Sequence, residues 1–498
     1  MSAATGGDSD GFGESRTSFE GIVGWLNGDG AVAMAHGEIE AEINRRGRDL
    51  MRQMFQDHLD ARAAREERLE VVDAEGVARG SVEVGHGRGL ATIFGAVRVE
   101  RLAYRQRGEA NLHPADAVLN LPQERHSHGL RLVAAVESSR GSFDAAAEAI
   151  ERGCGQSVGK RQVEALAAAA AADFEEFYTT ADPGTAEPGD VVVLTCDGKG
   201  IVMRSGELRP ETAKAAAKTT DQPGARLGKH EKRNRKRMAE VGAVYEITPA
   251  RRAPADIWSP VCDDTTAAPK AANKWVTASV VEDAAVVIAT VFDEAERRDP
   301  RHQRQWVALV DGNAHQIERI NAEAAARGVT VPILIDFLHV LEYVWGAARS
   351  LFGDGDPAAD KWAHDTASGI LDGKARQVAA SIRSKATRAK LAPAERKGAD
   401  ECAKYLTNKA AYLNYPEALS SGWPIATGVI EGTCRYLVAD RMDITGARWS
   451  VQGAEAILKL RALRTNGDWP EYWRYHLAKE RQRVHESRYA NNIIPKAA

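Results

Sequence analysis

VVVLTCDGKGIVMR, residues 191–204, is an apolar run of strand length that ends at Asp197, and it follows directly on the Pro- and Gly-bearing loop TTADPGTAEPGD at 179–190. That change of composition starts a new domain near Gly189. Downstream, strands are expected at Val241–Thr248, Trp275–Val281, Val286–Phe292 and Trp306–Val310, then a helix over His315–Arg327 and a further strand over Thr330–Ile335. Strand-like segments followed by strand, helix, strand predict an α/β fold with a mixed sheet. Residues 338–420 read as mostly helical and polar, and 425–465 as helix with basic loops.

Upstream of the boundary the periodicity is helical. Residues 1–20 are Gly/Ser/Asp-rich and are expected to be a floppy start, whereas 21–70 place apolar residues at three- and four-residue steps, the pattern of two amphipathic helices. Thr92–Tyr104 alternates around Gly95, which predicts a β-hairpin with Arg98, Arg101 and Arg105 on its solvent face. SFDAAAEAIERGCGQSVGKRQVEALAAAA, 142–170, reads as helix, Gly-rich turn, helix. Ser142 is the expected cap of the first helix, Gly153 and Gly155 the turn, and Ser157 the start of a second helix that offers Lys160, Arg161 and Gln162 where a recognition helix meets DNA. A helical hairpin packed into the core fits the same pattern equally well.

The 498 residues, 53.9 kDa, leave room for about three structural units at ~150 residues each. Hydrophobic residues at 44% and charged residues at 27% fit a globular protein and exclude collagen-like, coiled-coil and wholly disordered chains. Lys+Arg 66 against Asp+Glu 70 gives a net charge of -4, so any nucleic-acid partner must be read from local clusters. The five cysteines are scattered without a CxxC pair, which argues against a disulfide framework or a tetrahedral zinc site and for a reducing cytosol. With neither a signal peptide nor an apolar run of ~18 residues, a soluble cytoplasmic chain without a membrane partner is expected.

Asp197 and Asp311 each end an apolar strand and each precede a glycine, so at the carboxyl ends of neighbouring strands they can share a hard divalent cation. An Asp-Gly turn after a strand is the plainer account of either one alone. In GVIEGTCRYLVADRMDITGARWS, 428–450, Glu431 lies near the start of an apolar-faced helix with Arg435 one turn later; the carboxylate can complete a pair of metal sites and the arginine can meet a phosphate. A macrodipole-favoured acid at a helix start is the alternative for Glu431. ARLGKHEKRNRKRMAEVG, 225–242, gathers Arg226, Lys229, Lys232, Arg233, Arg235, Lys236 and Arg237 against Glu231, and a cluster of this density reads as a DNA-backbone-binding element. Arg441, Arg448 and Trp449 combine charge with an aromatic face and are further DNA-contact candidates, whereas Trp345, Trp362 and Trp423 read as core.

LTCDGKGIVMR, LRPETAKAA, RLGKHEKRNRKRMAEVGAVYEI, VDGNAHQIERI, LIDFLHVLEYVW and GVIEGTCRYLVADRMDITGARW occur in that order. Together they resemble the bacterial insertion-sequence DDE transposases of the Kra type and, more distantly, the Mutator-like transposases. Upstream, FGAVRVERLAYR, LHPADAVLNLP, SHGLRLVAAVESSRGSFDAAAEAI and KRQVE resemble the family's N-terminal half, so that the likeness runs over residues 90 to 470.

The resemblance implies a ribonuclease H-like mixed-sheet catalytic domain with an all-α insertion, preceded by a mainly α DNA-binding region with a small β-hairpin. The implied boundaries are a disordered 1–20, a helical and hairpin region 21–125, a helix-turn-helix region 126–180, the catalytic core 189–339, a helical insertion 340–424, the Glu-bearing helix 425–465 and a C-terminal tail 466–498. Asp197, Asp311 and Glu431 would hold two Mg2+ ions, replaceable by Mn2+, while Asp336 and His339 match the family's Asp-x-x-His element in a supporting role. A competing assignment makes Asp336 the second acid.

Two metal ions about 4 Å apart can activate an oxygen nucleophile and stabilise the leaving oxygen. Water would cleave at the terminal inverted repeats, and the freed 3′-hydroxyl would attack target DNA. A dimer or higher oligomer on double-stranded DNA is expected. The other readings are a transposase-derived DNA-binding protein without activity and a nuclease that cuts without joining.

Overall fold

The computed structural model describes residues 11–184, 187, 189–218, 235–258, 267–353, 355–444 and 446–496. The chain is mixed α/β and divides into two units, residues 1–179 with 468–498 and residues 180–467.

The first unit opens with α1 (Gly13–Leu26), the short α2 (Asp29–Val32) and the long α3 (His36–Ala64). The expected floppy start is thus helical from Gly13. Ser15 explains it: its N–H (3.0 Å) and its hydroxyl (2.6 Å) both donate to the buried carboxylate of Asp57 on α3. The hairpin forms as β1 (Ser81–Thr92) and β2 (Gly95–Arg105), turning before Gly95. Of its expected surface cations Arg98 and Arg105 are exposed, but Arg101 is buried in an ion pair with Asp116 at 2.8 Å.

After α4 (Pro114–Val118) come α5 (His128–Arg140), α6 (Phe143–Cys154), α7 (Lys160–Ala170) and α8 (Phe174–Thr180). The residues expected as a C-terminal tail instead form a helix over Trp469–Val484 that belongs to this unit. Tyr472 and His476, one turn apart, are its buried residues; the Tyr472 hydroxyl donates to the carbonyl of Ala170 (2.7 Å), and the His476 ring meets the Asp173 carboxylate at 2.6 Å. A face anchored by polar atoms leaves little trace in hydropathy, which is why this helix escapes the periodicity reading.

The second unit is built on β3 (Val191–Val202). Then follow α9 (Pro210–Ala217), β4 (Lys236–Ile247), β5 (Ala271–Ser279), α10 (Ala284–Arg298), β6 (Trp306–Val310), α11 (Ala314–Arg327) and β7 (Ile333–Ile335). The sheet order is β5-β4-β3-β6-β7, with β3, β4 and β5 successively antiparallel and β6 and β7 parallel to β3. The strand expected at Val286–Phe292 is instead part of α10. Asp283 caps that helix by accepting from the N–H groups of Ala285 and Val286, and Val287, Ile288, Val291, Phe292 and Ala295 are buried at helical spacing.

Five helices follow: α12 (Phe337–Leu351), α13 (Pro357–Leu371), α14 (Ala375–Arg388), α15 (Lys397–Asn408) and α16 (Tyr415–Ser420). Their apolar sides join one core with Val191, Val193, Val307, Leu309 and Leu334, alternate residues from one face of the sheet. The unit closes with α17 (Gly428–Thr433), a wide π-helical turn over Cys434–Ala439, the short Asp440–Met442 and α18 (Val451–Asn466).

Candidate active site and nucleic-acid surfaces

Strand register fixes the relation among the three aspartates. Leu194 pairs with Ala308, and Val310 pairs with Ile335. Continuing both registers puts Asp197, Asp311 and Asp336 in one row across three neighbouring parallel strands, on the face that carries Val193, Leu309 and Leu334. Asp197 does not end its strand as expected: β3 runs on to Val202, still paired with β4, and it is β6 that stops at Val310. Asp197 therefore lies three residues beyond the last residue of β3 that pairs with β6, Leu194, in the part of β3 paired only with β4.

Each acid has a different set of partners. Asp197 accepts from the N–H of Gly198 (2.6 Å) and from the thiol of Cys434 (3.3 Å), a weak donor. Asp311 accepts from the N–H of Asn313 (2.8 Å), the Asx turn that its Asp-Gly motif allows. Gly312 is needed there: its φ is +92°, and a Cβ would lie 2.7 Å from the Tyr405 hydroxyl, which itself donates to the Asp311 carbonyl (3.1 Å). Asp336 is 2% exposed and bonded at both oxygens, to the N–H of Leu338 (2.6 Å), the N–H of Thr427 (2.7 Å) and the Thr427 hydroxyl. That commits Asp336 to holding chain segments together.

Glu431 lies on α17, immediately before the π-helical turn that carries Cys434 to Asp197. Its carboxylate is exposed and has no hydrogen-bond or ion-pair partner among the described residues. Partial desolvation, then the charges of Asp336, Glu342 and Asp197, push its carboxyl above the usual range, with His339 opposing. His339 is half-buried, its Nδ1 3.6 Å from Glu342, and its ring stands edge-on to Tyr343 and Tyr405.

A further acid that sequence reasoning missed, Glu240 on β4, pairs with Gly198 of β3, next to Asp197. Burial and the charges of Asp197 and Asp283 raise its carboxyl above the usual range. Its one visible sign in the sequence is a charged residue inside the apolar strand MAEVGAVYEI. Among the described residues no three His, Cys, Asp or Glu side chains converge as a ready-made metal-binding group.

The DNA-contact candidates separate by burial. Arg441 and Trp449 are 3% and 5% exposed and stack on each other at 4.6 Å, so neither offers the surface contact expected of it. The Trp449 indole donates to the carbonyl of Met442 (3.0 Å), and its backbone bridges to the end of β3 beside Met203. These residues close the sheet. Arg448 and Arg435 are exposed.

Of the basic block, Arg226, Lys229, Lys232 and Arg233 lie outside the described residues. Arg235 is buried and donates to Ser205 (3.0 Å), Arg237 donates to the carbonyl of Val280 (2.7 Å), and Lys236 is 3.7 Å from Asp443. This end of the block is built into the sheet rather than displayed. Trp423 is buried and Trp345 is 37% exposed, while Trp362 packs partly buried against the helical core.

In the first unit α5, α6 and α7 pack mutually. Ser142 caps α6, accepting from Ala145, and Gly155 ends it in the left-handed conformation at φ 64°. The second helix starts at Lys160 rather than near Ser157, with Gly159 at its cap and the Gln162 side chain folded back onto the Gly159 N–H (3.1 Å). Arg161 and Gln162 are exposed, and Lys160 is paired with Asp144.

No protein-family model matches the chain, and no curated protein matches it. Among the described residues no helix is long and apolar enough to cross a membrane.

Proposed function

We propose that the chain is a metal-dependent DDE transposase whose residue 180–467 unit is ribonuclease H-like. The observation that carries this reading is the set of three aspartates that the registers bring level, Asp197 within β3 and Asp311 and Asp336 directly after the adjacent parallel strands β6 and β7, with Asp336 tied through Thr427 to the helix that bears Glu431. The sheet order supports it: an antiparallel trio, then two parallel strands, puts Asp197 on the central strand and Asp311 just past the next one. In the first unit the mutually packed α5, α6 and α7 support a helix-turn-helix that reads terminal inverted repeats, with Arg161 and Gln162 presented at the start of α7.

Asp197, Asp311 and Glu431 would hold the Mg2+ ions, for which Mn2+ can stand in. The donor set fits a hard cation: all ligands are carboxylate oxygens, and among the described residues Asp197 is engaged beyond the adjacent Gly198 only by a thiol and Glu431 is an unpartnered acid in a field of negative charge. Bound metal would supply activation of the attacking oxygen and neutralisation of the leaving one. Asp336 caps α12 and holds Thr427, and Tyr405 holds the Asp311 turn. The nucleophile is water or a DNA 3′-hydroxyl, so no protein nucleophile is assigned. The partners are double-stranded transposon-end and target DNA, engaged by a dimer or higher oligomer in the bacterial cytoplasm.

One observation favours a second reading, a DNA-binding protein descended from such an enzyme: the acids share an edge without forming a ready-made metal group. One assay separates the two. Mg2+-dependent cleavage and joining of end-bearing DNA is measured for the parent, Asp197→Asn, Asp311→Asn, Asp336→Asn and Glu431→Gln. Loss of at least about a hundredfold in the 197, 311 and 431 variants with DNA binding retained supports the enzyme. A parent that binds ends and never cuts supports the relic, and cutting without joining identifies a nuclease.

A further inference from the structure

Residues 373–392, GKARQVAASIRSKATRAKLA, contain six Lys or Arg and no Asp or Glu, in a chain whose net charge is -4. The stretch coincides with α14, which buries Ala375, Ala379, Ile382 and Ala386 and turns its other side to solvent. That outer side carries Arg376, Ser381, Ser384 and Arg388, with Lys390 just beyond the helix end, all exposed.

The cations there are of two kinds. Arg383 donates to the Ala403 carbonyl (3.1 Å) and the Thr407 hydroxyl (3.0 Å), Lys385 lies over the Phe352 ring at 4.1 Å, and Lys374 pairs with Asp372 at 3.0 Å. Arg376, Arg388 and Lys390 have no ion-pair partner among the described residues. On α15, Asp400 pairs with Arg396 and Glu401 with Lys397. Exposed cations without an ion-pair partner give this side of the helix a positive potential that favours an anionic partner.

We propose that this outer face of α14 is a second DNA surface, one that grips the sugar-phosphate backbone of duplex DNA. Arg, Lys, Ser and Thr side chains are the ones that contact phosphates, and they make up most of the exposed face, with Gln377 among them. At ~1.5 Å per residue the 14 residues of α14 span about 21 Å, long enough for its three unpaired cations to meet separate phosphates. The proposal rests on the DNA-binding half of the reading above and is independent of the acids.

The test uses the full chain and a random-sequence duplex, with affinity measured against salt for the parent and for the triple variant Arg376→Gln, Arg388→Gln, Lys390→Gln. Each lost phosphate contact removes ~0.9 from the slope of log affinity against log salt, so the triple variant should lose about 2 to 3. A control, Arg68→Gln, Arg107→Gln, Arg474→Gln, makes the same change of net charge on exposed residues of the other unit, outside the helix-turn-helix.

An unchanged slope in the α14 variant overturns the proposal. So does an equal loss in the control, which would make the effect one of net charge. Weakened binding to poly-glutamate with DNA binding intact also overturns it, by pointing to an acidic polypeptide. None of these results touches metal-dependent cleavage, which is scored separately with Asp197→Asn.

Discussion

The Asp336 carboxylate accepts both the N–H and the hydroxyl of Thr427, and the carbonyl of Thr427 in turn accepts from the N–H of Glu431 at 3.1 Å. A buried strand-end acid thereby fixes the first turn of the helix that carries the exposed candidate ligand. Thr427→Val keeps the shape and removes the hydroxyl, leaving part of a buried carboxylate unsatisfied, which costs about 1–3 kcal/mol. Urea unfolding should register that loss, and Thr427→Ser should recover most of it. Equal midpoints for the Val and Ser variants would mean that the hydroxyl contributes nothing.

Trp449 is expected to act through stability and not through DNA. Removing an indole buried against Arg441 and bonded to Met442 should cost about 3–5 kcal/mol in Trp449→Ala. The affinity of the remaining folded protein for DNA should stay within about twofold of the parent. A variant of full stability but weakened DNA binding would return Trp449 to the DNA surface.

The first unit should weaken as pH falls. Burial, reinforced by Arg131, holds the His128 ring down at about 4, below its ordinary 6.5. A histidine that resists protonation only when folded contributes stability that is complete above pH 6.5 and drains away toward pH 4, on the order of 2–3 kcal/mol. Asp173 extends the trend. Burial opposes its ionisation, but hydrogen bonds from His476 and Arg483 outweigh that and hold it at about 2, so its share is present above about pH 4 and is lost toward pH 2. Urea unfolding followed from pH 7 to 4 should give a steeper fall for the parent than for His128→Gln, and parallel curves would remove His128 from this account.

Gly398→Ala tests a close approach between two helices of the second unit. The added methyl on α15 would run into the backbone carbonyl of Gly346 on α12 and would lie 2.8 Å from the Ser350 hydroxyl. Backbone cannot move aside as a flexible side chain does, so a loss of about 1–3 kcal/mol is expected in the unfolding midpoint. Gly346→Ala, which meets nothing within 4 Å and lies inside α12, is the control and should unfold at or slightly above the parental midpoint, because Ala favours a helix interior over Gly.

Local pattern carries much of this protein. Alternation around Gly95 predicts the hairpin, Ser142 and Gly155 predict the limits of α6, and the apolar runs before Asp197 and Asp311 predict β3 and β6. Each depends on residues close in the chain, where side-chain period and cap chemistry act directly. The same logic misreads Val286–Phe292, because a β-branched run suits a strand until Asp283 caps it and β4 receives its buried side as a helix.

Burial and register were decided by tertiary structure. Arg101, Arg235, Arg441 and Trp449 have the composition of a nucleic-acid surface, yet each lies inside, satisfied by a partner distant in the chain or stacked within one loop. The alignment of Asp197 with Asp311 and Asp336 follows from hydrogen bonds between strands, and the clamp on Thr427 joins residues 91 positions apart. Sequence by itself determined the elements whose signals are local, such as the hairpin, α6, β3 and β6, and which side chains could carry charge to a site. Which of those charges face solvent, and which acids stand level, is set by long-range packing and strand pairing, whose energies depend on distances that no local pattern encodes.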